Sequence, residues 1–261
     1  MLLLSKKHLE IHLSKEVPEK LSAYIIPTTT PLYGQTASGQ YLFQKVSTPA
    51  YSVCIKNIFS NKQDTLVLVK EGASFCLLIQ LENTLQYKVK NDSIIMWEWA
   101  VNLFYTPKLY AEIPLLDHTN YTTFALFLPD YLIETFEKKY PGIADLKKNS
   151  TANKVQRLTK ANGVCSFEIM EIIYNVLKEG FATLTPELIS DLLTKVFDND
   201  ASLKKRQTDL NKELIQKIYA LKNFLQKNLH ENYSRDYLLE KFDLSRYHFN
   251  VSFAIIYHAT P

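Results

Sequence analysis

Near the end of the chain, Asp243 to Phe253 reads "DLSRYHFNVSF", a helix start signal followed by Arg, Tyr, His and Asn on successive turns. Such side chains can read nucleic acid. Asn pairs with adenine, Arg with guanine or phosphate, and Tyr reaches a phosphate or a thymine methyl. On a wheel of about 100° per residue, Phe249, Phe253 and Ile256 fall together and define a buried face. Tyr247 and Val251 lie opposite, flanked by Asn250, Ala254 and His248, with Arg246 nearer the core edge. A reading helix puts its N-terminal residues against base edges. The expected contacts are therefore Arg246, Tyr247, Asn250 and His248, with Ser245 as the N-cap and Arg235 and Lys241 near phosphates. The plainer alternative is the last helix of a packed domain.

The preceding residues must position that helix. Leu214, Ile218, Leu221, Leu225 and Leu229 recur at spacings of three and four, one apolar stripe with Lys and Gln opposite. After "ENYS", the segment "RDYLLEKF" supplies a short helix, and Phe242-Asp243-Leu244 leads tightly into Ser245, a good N-cap. Two short helices so joined make a helix-turn-helix. Asp243 takes the place where Gly is commonest, and Asp tolerates a left-handed backbone better than most residues.

Upstream the period changes. Between about Val17 and Leu128, short β-branched and aromatic runs follow one another at roughly ten-residue intervals. In one of them Tyr51, Val53 and Ile55 share a face while Ser52, Cys54 and Lys56 share the other. Eight or so such runs without long helices between them predict an antiparallel sandwich or small barrel. Helices are then expected over 129–140, 166–180 and 185–197, with Ser166 and Thr185 as starts and Gly180 as a stop. The polar stretch "KKNSTANKVQRLTKANG" reads as an exposed connection, and the Leu188, Leu192, Val196 stripe can pack on a neighbouring helix or on a second copy. The fold class is thus α+β: a β-sandwich or barrel followed by an all-α region.

Other chemistries find little support. The β region holds one histidine, His118 beside Asp117, far short of the converging ligands a metal site needs. His8 and His12 have a chelating i, i+4 spacing if helical; the alternative is an exposed segment. No GxSxG, HExxH or phosphate-cradling loop occurs, so no enzyme activity and no cofactor are expected. Cys54, Cys76 and Cys165 form no CxxC pair and read as reduced thiols, the first two as inert core residues. Tyr87, Trp97, Trp99, Phe104 and Tyr105 could line an apolar effector pocket or be ordinary packing, and Glu98 between two Trp suggests a strand edge. The N-terminus lacks a signal-peptide core and no apolar run approaches the roughly 18 residues of a membrane span. A cytoplasmic protein is expected. From Ala201 onward there are ten Lys and Arg against six Asp and Glu, whereas the residues before it are nearly balanced. A basic tail suits an anionic partner.

The segment "YALKNFLQKNLHENYSRDYLLEKFDLSRYHFNVSFAIIYHATP" resembles the first half of the DNA-binding domain of AraC-type transcription regulators. Leu238, Phe242, Leu244, Ser245, Phe249, Phe253, Thr260 and Pro261 stand where that family keeps its framework. The β region resembles the family's cupin-like sensing half, with "ASFCLLIQLENTLQYKV" similar to its central hairpin. The resemblance implies an N-terminal segment (1–16), a cupin-like sensing domain (17–128), a helical dimerisation segment (129–205) and a partial helix-turn-helix domain (206–261). It implies a homodimer, double-stranded DNA as partner, and a small-molecule effector that alters the C-terminal helices. The departures are Val251, Ala254 and His258, where the family often has basic residues, Lys and Gly. The sequence also stops at the Thr-Pro that normally precedes a joining helix and a second unit, so weak DNA binding is expected of it as it stands. Two other classes stay open: a small-molecule-binding or metal-dependent cupin, and an interaction scaffold with a vestigial helix-turn-helix.

Overall fold

The computed structural model describes residues 2–5, 11–70, 72–89, 92–106, 108–148, 155–158, 162–201, 216–217, 220–225, 227–228, 231–245 and 249. The strands begin with β1 (Leu2–Ser5), β2 (Leu13–Ser14), β3 (Pro31–Thr36), β4 (Gly39–Ser47) and β5 (Ser52–Ser60). They continue with β6 (Asp64–Lys70), β7 (Ser74–Glu82), β8 (Leu85–Val89), β9 (Asp92–Met96) and β10 (Ala100–Thr106). Next come β11 (Leu109–Leu115), β12 (Thr119–Leu128), β13 (Gln156–Arg157) and β14 (Gly163–Val164). The helices are α1 (Asp130–Glu137), α2 (Gly142–Lys148), α3 (Phe167–Glu179) and α4 (Pro186–Ala201), then helical residues 220–225 (α5) and α6 (Arg235–Lys241). Among the described residues no helix is long and apolar enough to cross a membrane.

The fold is α+β, an antiparallel β-sandwich followed by helices. A five-stranded sheet, β1-β6-β11-β8-β9, faces a nine-stranded sheet whose path is β13-β10-β7-β12-β5-β4-β3-β2, with β14 also on β10. Alternation sends neighbouring residues of the large sheet into two different cores. Leu78, Phe104, Tyr121 and Ala125 meet Leu68, Tyr87, Ile94 and Ile113 of the small sheet, in the sandwich interior. Ile55, Leu77, Ile79 and Leu126 face the other way, against Ile133 of α1, Ile143 of α2, Ile173 and Val176 of α3, and Leu192 and Val196 of α4. The central strands are therefore buried on both faces. That is why β7 reads as the nearly unbroken apolar run "SFCLLIQL", and not as a strict alternation.

Several expectations are settled or changed on this frame. The α4 stripe of Leu192 and Val196, expected on a neighbouring helix or on a second copy, takes the former and is buried in the chain's own core, with Leu188 packed against it. The connection expected to be exposed carries β13 and β14, which pair with β10, and its described residues 155–158 and 162–164 are half-buried. β7 and β8 lie in different sheets, so "ASFCLLIQLENTLQYKV" crosses the sandwich instead of forming a hairpin. Asn83, with φ 57°, makes that crossing turn. Strands β1, β2, β3 and β9 were not expected. The helix starts and stops are as read: Ser166 Oγ accepts from Ile169 N at 3.4 Å and Thr185 Oγ1 from Leu188 N at 3.3 Å.

Gly180 ends α3 in a left-handed conformation, φ 102°. A Cβ there would stand 2.6 Å from the Pro27 carbonyl oxygen and 2.9 Å from Thr28 Oγ1. Both the backbone angle and the space exclude a side chain. Gly180→Ala should lower stability by about 1–3 kcal/mol, read as a fall in the urea midpoint at unchanged m-value; an unshifted midpoint would show that the loop carrying Pro27 yields freely.

Candidate functional site

The first helix of the expected helix-turn-helix and the turn after it lie in the described residues, with Ser245 and Phe249 from the segment that follows. Ser234 caps α6, its Oγ accepting from Tyr237 N at 3.2 Å. The chain leaves α6 at Phe242 and turns through Asp243, whose φ of 47° is the left-handed value the sequence predicted. Leu244 N donates back to the Leu239 carbonyl at 2.9 Å, and Phe249 N donates to the Ser245 carbonyl at 2.9 Å, the first helical bond after Ser245. Leu221, Leu238, Leu244 and Phe249 are each 6% exposed or less and form one small core, with Phe224, Leu225, Tyr233, Leu239 and Phe242 packed around it. The framework of the resemblance thus coincides with the packing wherever both are described. Leu214, Ile218 and Leu229 of the preceding stripe lie outside the described residues, as do Phe253, Thr260 and Pro261.

Of the seven expected DNA contacts, Arg235, Lys241 and Ser245 are described, and all three are exposed. Arg246, Tyr247, His248 and Asn250 lie outside the described residues. Lys241 is not a free charge. Its Nζ donates to Tyr237 Oη at 3.0 Å and sits 4.5 Å from the centre of the Phe224 ring and 5.3 Å from that of Tyr237. Lys217 Nζ lies 2.7 Å from Asp243 Oδ2, tying the preceding helix to the turn. Lys222 of α5 reaches Glu98 of the β region, Nζ to Oε1 3.9 Å, while Glu98 Oε2 accepts from Asn83 N at 3.1 Å. The Glu98 side chain is only 12% exposed, so this pair links the helical region to the two turns at one end of the sandwich.

The second site is a cavity of about 60 Å³ inside the sandwich. Its walls come from both sheets: Leu78, Phe104 and Phe127 on one side, Leu68, Tyr87 and Ile94 on the other. Four polar side chains interrupt them, one of which, Thr106, already donates to the Lys108 carbonyl at 2.8 Å. Lys56 of β5 is 6% exposed, Lys70 stands at the end of β6, and the Tyr87 hydroxyl is buried without a hydrogen-bond partner. Cys76 shares the cavity; burial pushes its thiol up to about 12 even though both lysines pull it down. Burial lowers the Lys70 ammonium below the usual lysine value. Of the five aromatics considered as pocket walls, Tyr87 and Phe104 line this cavity. Tyr105 points to the opposite face and packs beside Phe75. Trp99 is buried in the helix-covered core, and Trp97 is 39% exposed. Trp97, Glu98 and Trp99 form the turn between β9 and β10, not a strand edge. Lys56 and Lys70 escaped sequence reasoning as site residues. The available signal was a lysine sharing a strand face with Cys54 and Ile58.

The two described histidines, His12 and His118, do not converge. His12 is exposed outside any helix, and His118, with φ 48°, occupies the turn before β12. Among the described residues no group of three His, Cys, Asp or Glu side chains could hold a metal ion.

No family model matches the chain, and no curated protein sequence does. Solved structures are similar in general shape. The AraC-like transcriptional activator CuxR is 8% identical with a TM-score of 0.39, over 94% of this chain and 79% of that one. ToxT from Vibrio cholerae is 12% identical with a TM-score of 0.40, over 79% and 76%. The cupin domain of Schizosaccharomyces pombe Cnp3 is 12% identical with a TM-score of 0.30, over 41% and 74%. At these scores the function has to be read from the chain's own residues.

The Lys217 ammonium holds the Asp243 carboxyl below the usual carboxylate range. Since the folded value is the lower one, the pair contributes above the ordinary Asp value, about 4, and is lost as pH falls through the folded value. A carboxyl NMR titration should place the Asp243 midpoint below that in Lys217→Met; equal midpoints would remove the pair from the account of the turn.

Proposed function

We propose that this chain is a ligand-responsive transcription regulator resembling the AraC type, not an enzyme. The observation that carries the reading is the turn at Asp243: a capped α6, a left-handed residue, and beyond it Leu244 and Phe249 buried against Leu221 and Leu238. That arrangement supports holding the following residues on a protein surface at a fixed angle, which groove reading requires. In this reading Arg246, Tyr247, His248 and Asn250 meet base edges. Ser245 and Arg235 lie near the backbone, and Lys241 reaches a phosphate by leaving Phe224 and Tyr237. A homodimer would supply two such helices to one site, offsetting the few phosphate contacts of a single unit. The cavity is the effector site, and the Glu98–Lys222 pair is one route by which filling it would bias the helices.

The cavity also favours a second reading, a ligand-binding cupin whose helix-turn-helix is vestigial. Stoichiometric divalent metal in the purified protein would favour the metal-dependent version of that reading.

The deciding experiment selects bound fragments from random duplex DNA and follows them by fluorescence anisotropy across salt concentrations. The chain should prefer selected over random DNA. Arg246→Ala and Asn250→Ala should each weaken selected DNA about tenfold to a hundredfold with little effect on random DNA. Equal binding of the two DNAs at every salt concentration would reject the regulator reading and leave the cupin one.

A further inference from the structure

The cavity between the sheets is electrostatically unfinished. Lys56 is 6% exposed, and among the described residues no carboxylate lies within ion-pair distance of it. The side chain is largely covered while the ammonium keeps some access to solvent, so an anion entering the cavity can pair with it. Tyr87, also 6% exposed, adds a buried hydroxyl with no partner. Both residues line the same space, one from each sheet. Lys70, at the end of β6, uses one of its three N–H groups on the Gly72 carbonyl, at 2.6 Å, and its Nζ lies 5.9 Å from the centre of the Phe127 ring. The remaining surface is almost wholly hydrocarbon.

Each ligand class meets that lining differently. A sugar needs many donors and acceptors around its ring, and these walls offer few. A neutral apolar molecule would fill the space but leave Lys56 unpaired in a drier cavity. A phosphate or dicarboxylate would press a second charge against Leu78, Phe104 or Ile94. A single carboxylate on an apolar body satisfies both halves: the anion accepts from the ammonium and the phenol, and the body covers the hydrocarbon wall. The modest volume limits that body to a compact chain or ring.

We propose that the cavity binds a compact apolar monocarboxylate, its carboxylate held by Lys56 and the Tyr87 hydroxyl and its body against Leu78, Ile94 and Phe104. The proposal rests on reading the cavity as the effector site. It does not require that the protein bind DNA.

The test is isothermal titration of the full chain with butanoate, octanoate and 3-phenylpropanoate, each beside its methyl ester. At least one acid should bind, and its ester should bind at least tenfold more weakly. Lys56→Met should weaken the acid about tenfold to a hundredfold and narrow or invert its advantage over the ester. Tyr87→Phe should weaken it by a smaller factor. Esters binding as tightly as their acids, or full acid affinity in Lys56→Met, would overturn the carboxylate assignment while leaving a neutral effector for the same cavity. Failure of all three acids to bind at millimolar concentration would overturn the ligand class. If Lys56→Met does not fold, the acid-to-ester ratio in the unaltered chain decides. Anisotropy with selected DNA on the same preparation reports separately on the regulator reading.

Discussion

Burial of one sheet on both of its faces is the constraint from which the rest of this structure follows. The large sheet cannot present a solvated face along β5, β7, β10 and β12, because the small sheet covers one side and α1 to α4 the other. A strand in that position has to satisfy two cores with adjacent residues, and the chain does so with pairs such as Leu77 and Leu78, or Leu103 and Phe104. Each fully buried apolar side chain of this kind contributes roughly 1.5–3 kcal/mol, so the helices and the small sheet are held to the same scaffold by similar forces. Some of the polar residues tolerated between them are hydrogen-bonded. Gln80 Oε1 accepts from Thr123 Oγ1 at 2.9 Å, and Gln44 Oε1 accepts from Ile26 N at 2.7 Å. Against that background Lys56 stands out, since its ammonium has no such arrangement.

The same constraint fixes how the helical layer is tied to the sandwich. Cys165 N donates to the Trp99 carbonyl at 2.9 Å and Leu158 N to the Leu103 carbonyl at 2.9 Å, extending the β10 edge toward α3. On the other side the Tyr51 hydroxyl donates to the Leu184 carbonyl at 2.5 Å, just before α4. These bonds place α3 and α4 on a surface continuous with the cavity wall, because Leu103 and Phe104 are neighbours on one strand with opposite side-chain directions. A shift of β10 on filling the cavity would therefore be felt by the helices without any intermediate element. The Trp97–Trp99 turn, which begins β10, also carries Glu98 toward Lys222.

Much of this was legible in the sequence, and the exceptions have physical causes. The strands from β4 to β8 and from β10 to β12 announced themselves by β-branched and aromatic runs between turn residues, and α1, α3 and α4 by their starts and stops. Strand β9 was hidden because "IIMWEWAV" is apolar and aromatic throughout, with a turn inside it where strand and edge look alike. Strands β13 and β14 were hidden because two-residue pairings at a sheet edge need no hydrophobic pattern. The crossing between β7 and β8 could not be read, since a hairpin and a sheet-changing turn share the same turn residues. Tyr105 was grouped with Phe104 as a pocket wall because both are aromatic; period two separates them. The cavity itself was illegible as a list of aromatics. What marked it was a charge, Lys56, on an inward strand face.

Charge in the C-terminal region needs the same care. Counted from the sequence, ten basic residues against six acidic ones look like a field offered to an anion. The described lysines show otherwise in part: Lys217 is held by Asp243, Lys222 faces Glu98, and Lys241 lies on Phe224 and Tyr237. Each of these contacts fixes a turn, a junction or a helix, and each subtracts from the field available to phosphate. The Lys217–Asp243 pair, with its carboxylate 89% exposed, contributes little to stability and can exchange partners readily when a polyanion approaches, whereas Lys222–Glu98 is largely covered. Affinity for DNA would then depend less on the count of basic residues than on how many of them are released on binding. In that respect Lys241, held by ring faces and a phenol with no carboxylate among its described contacts, is better placed to move to a phosphate than Lys217.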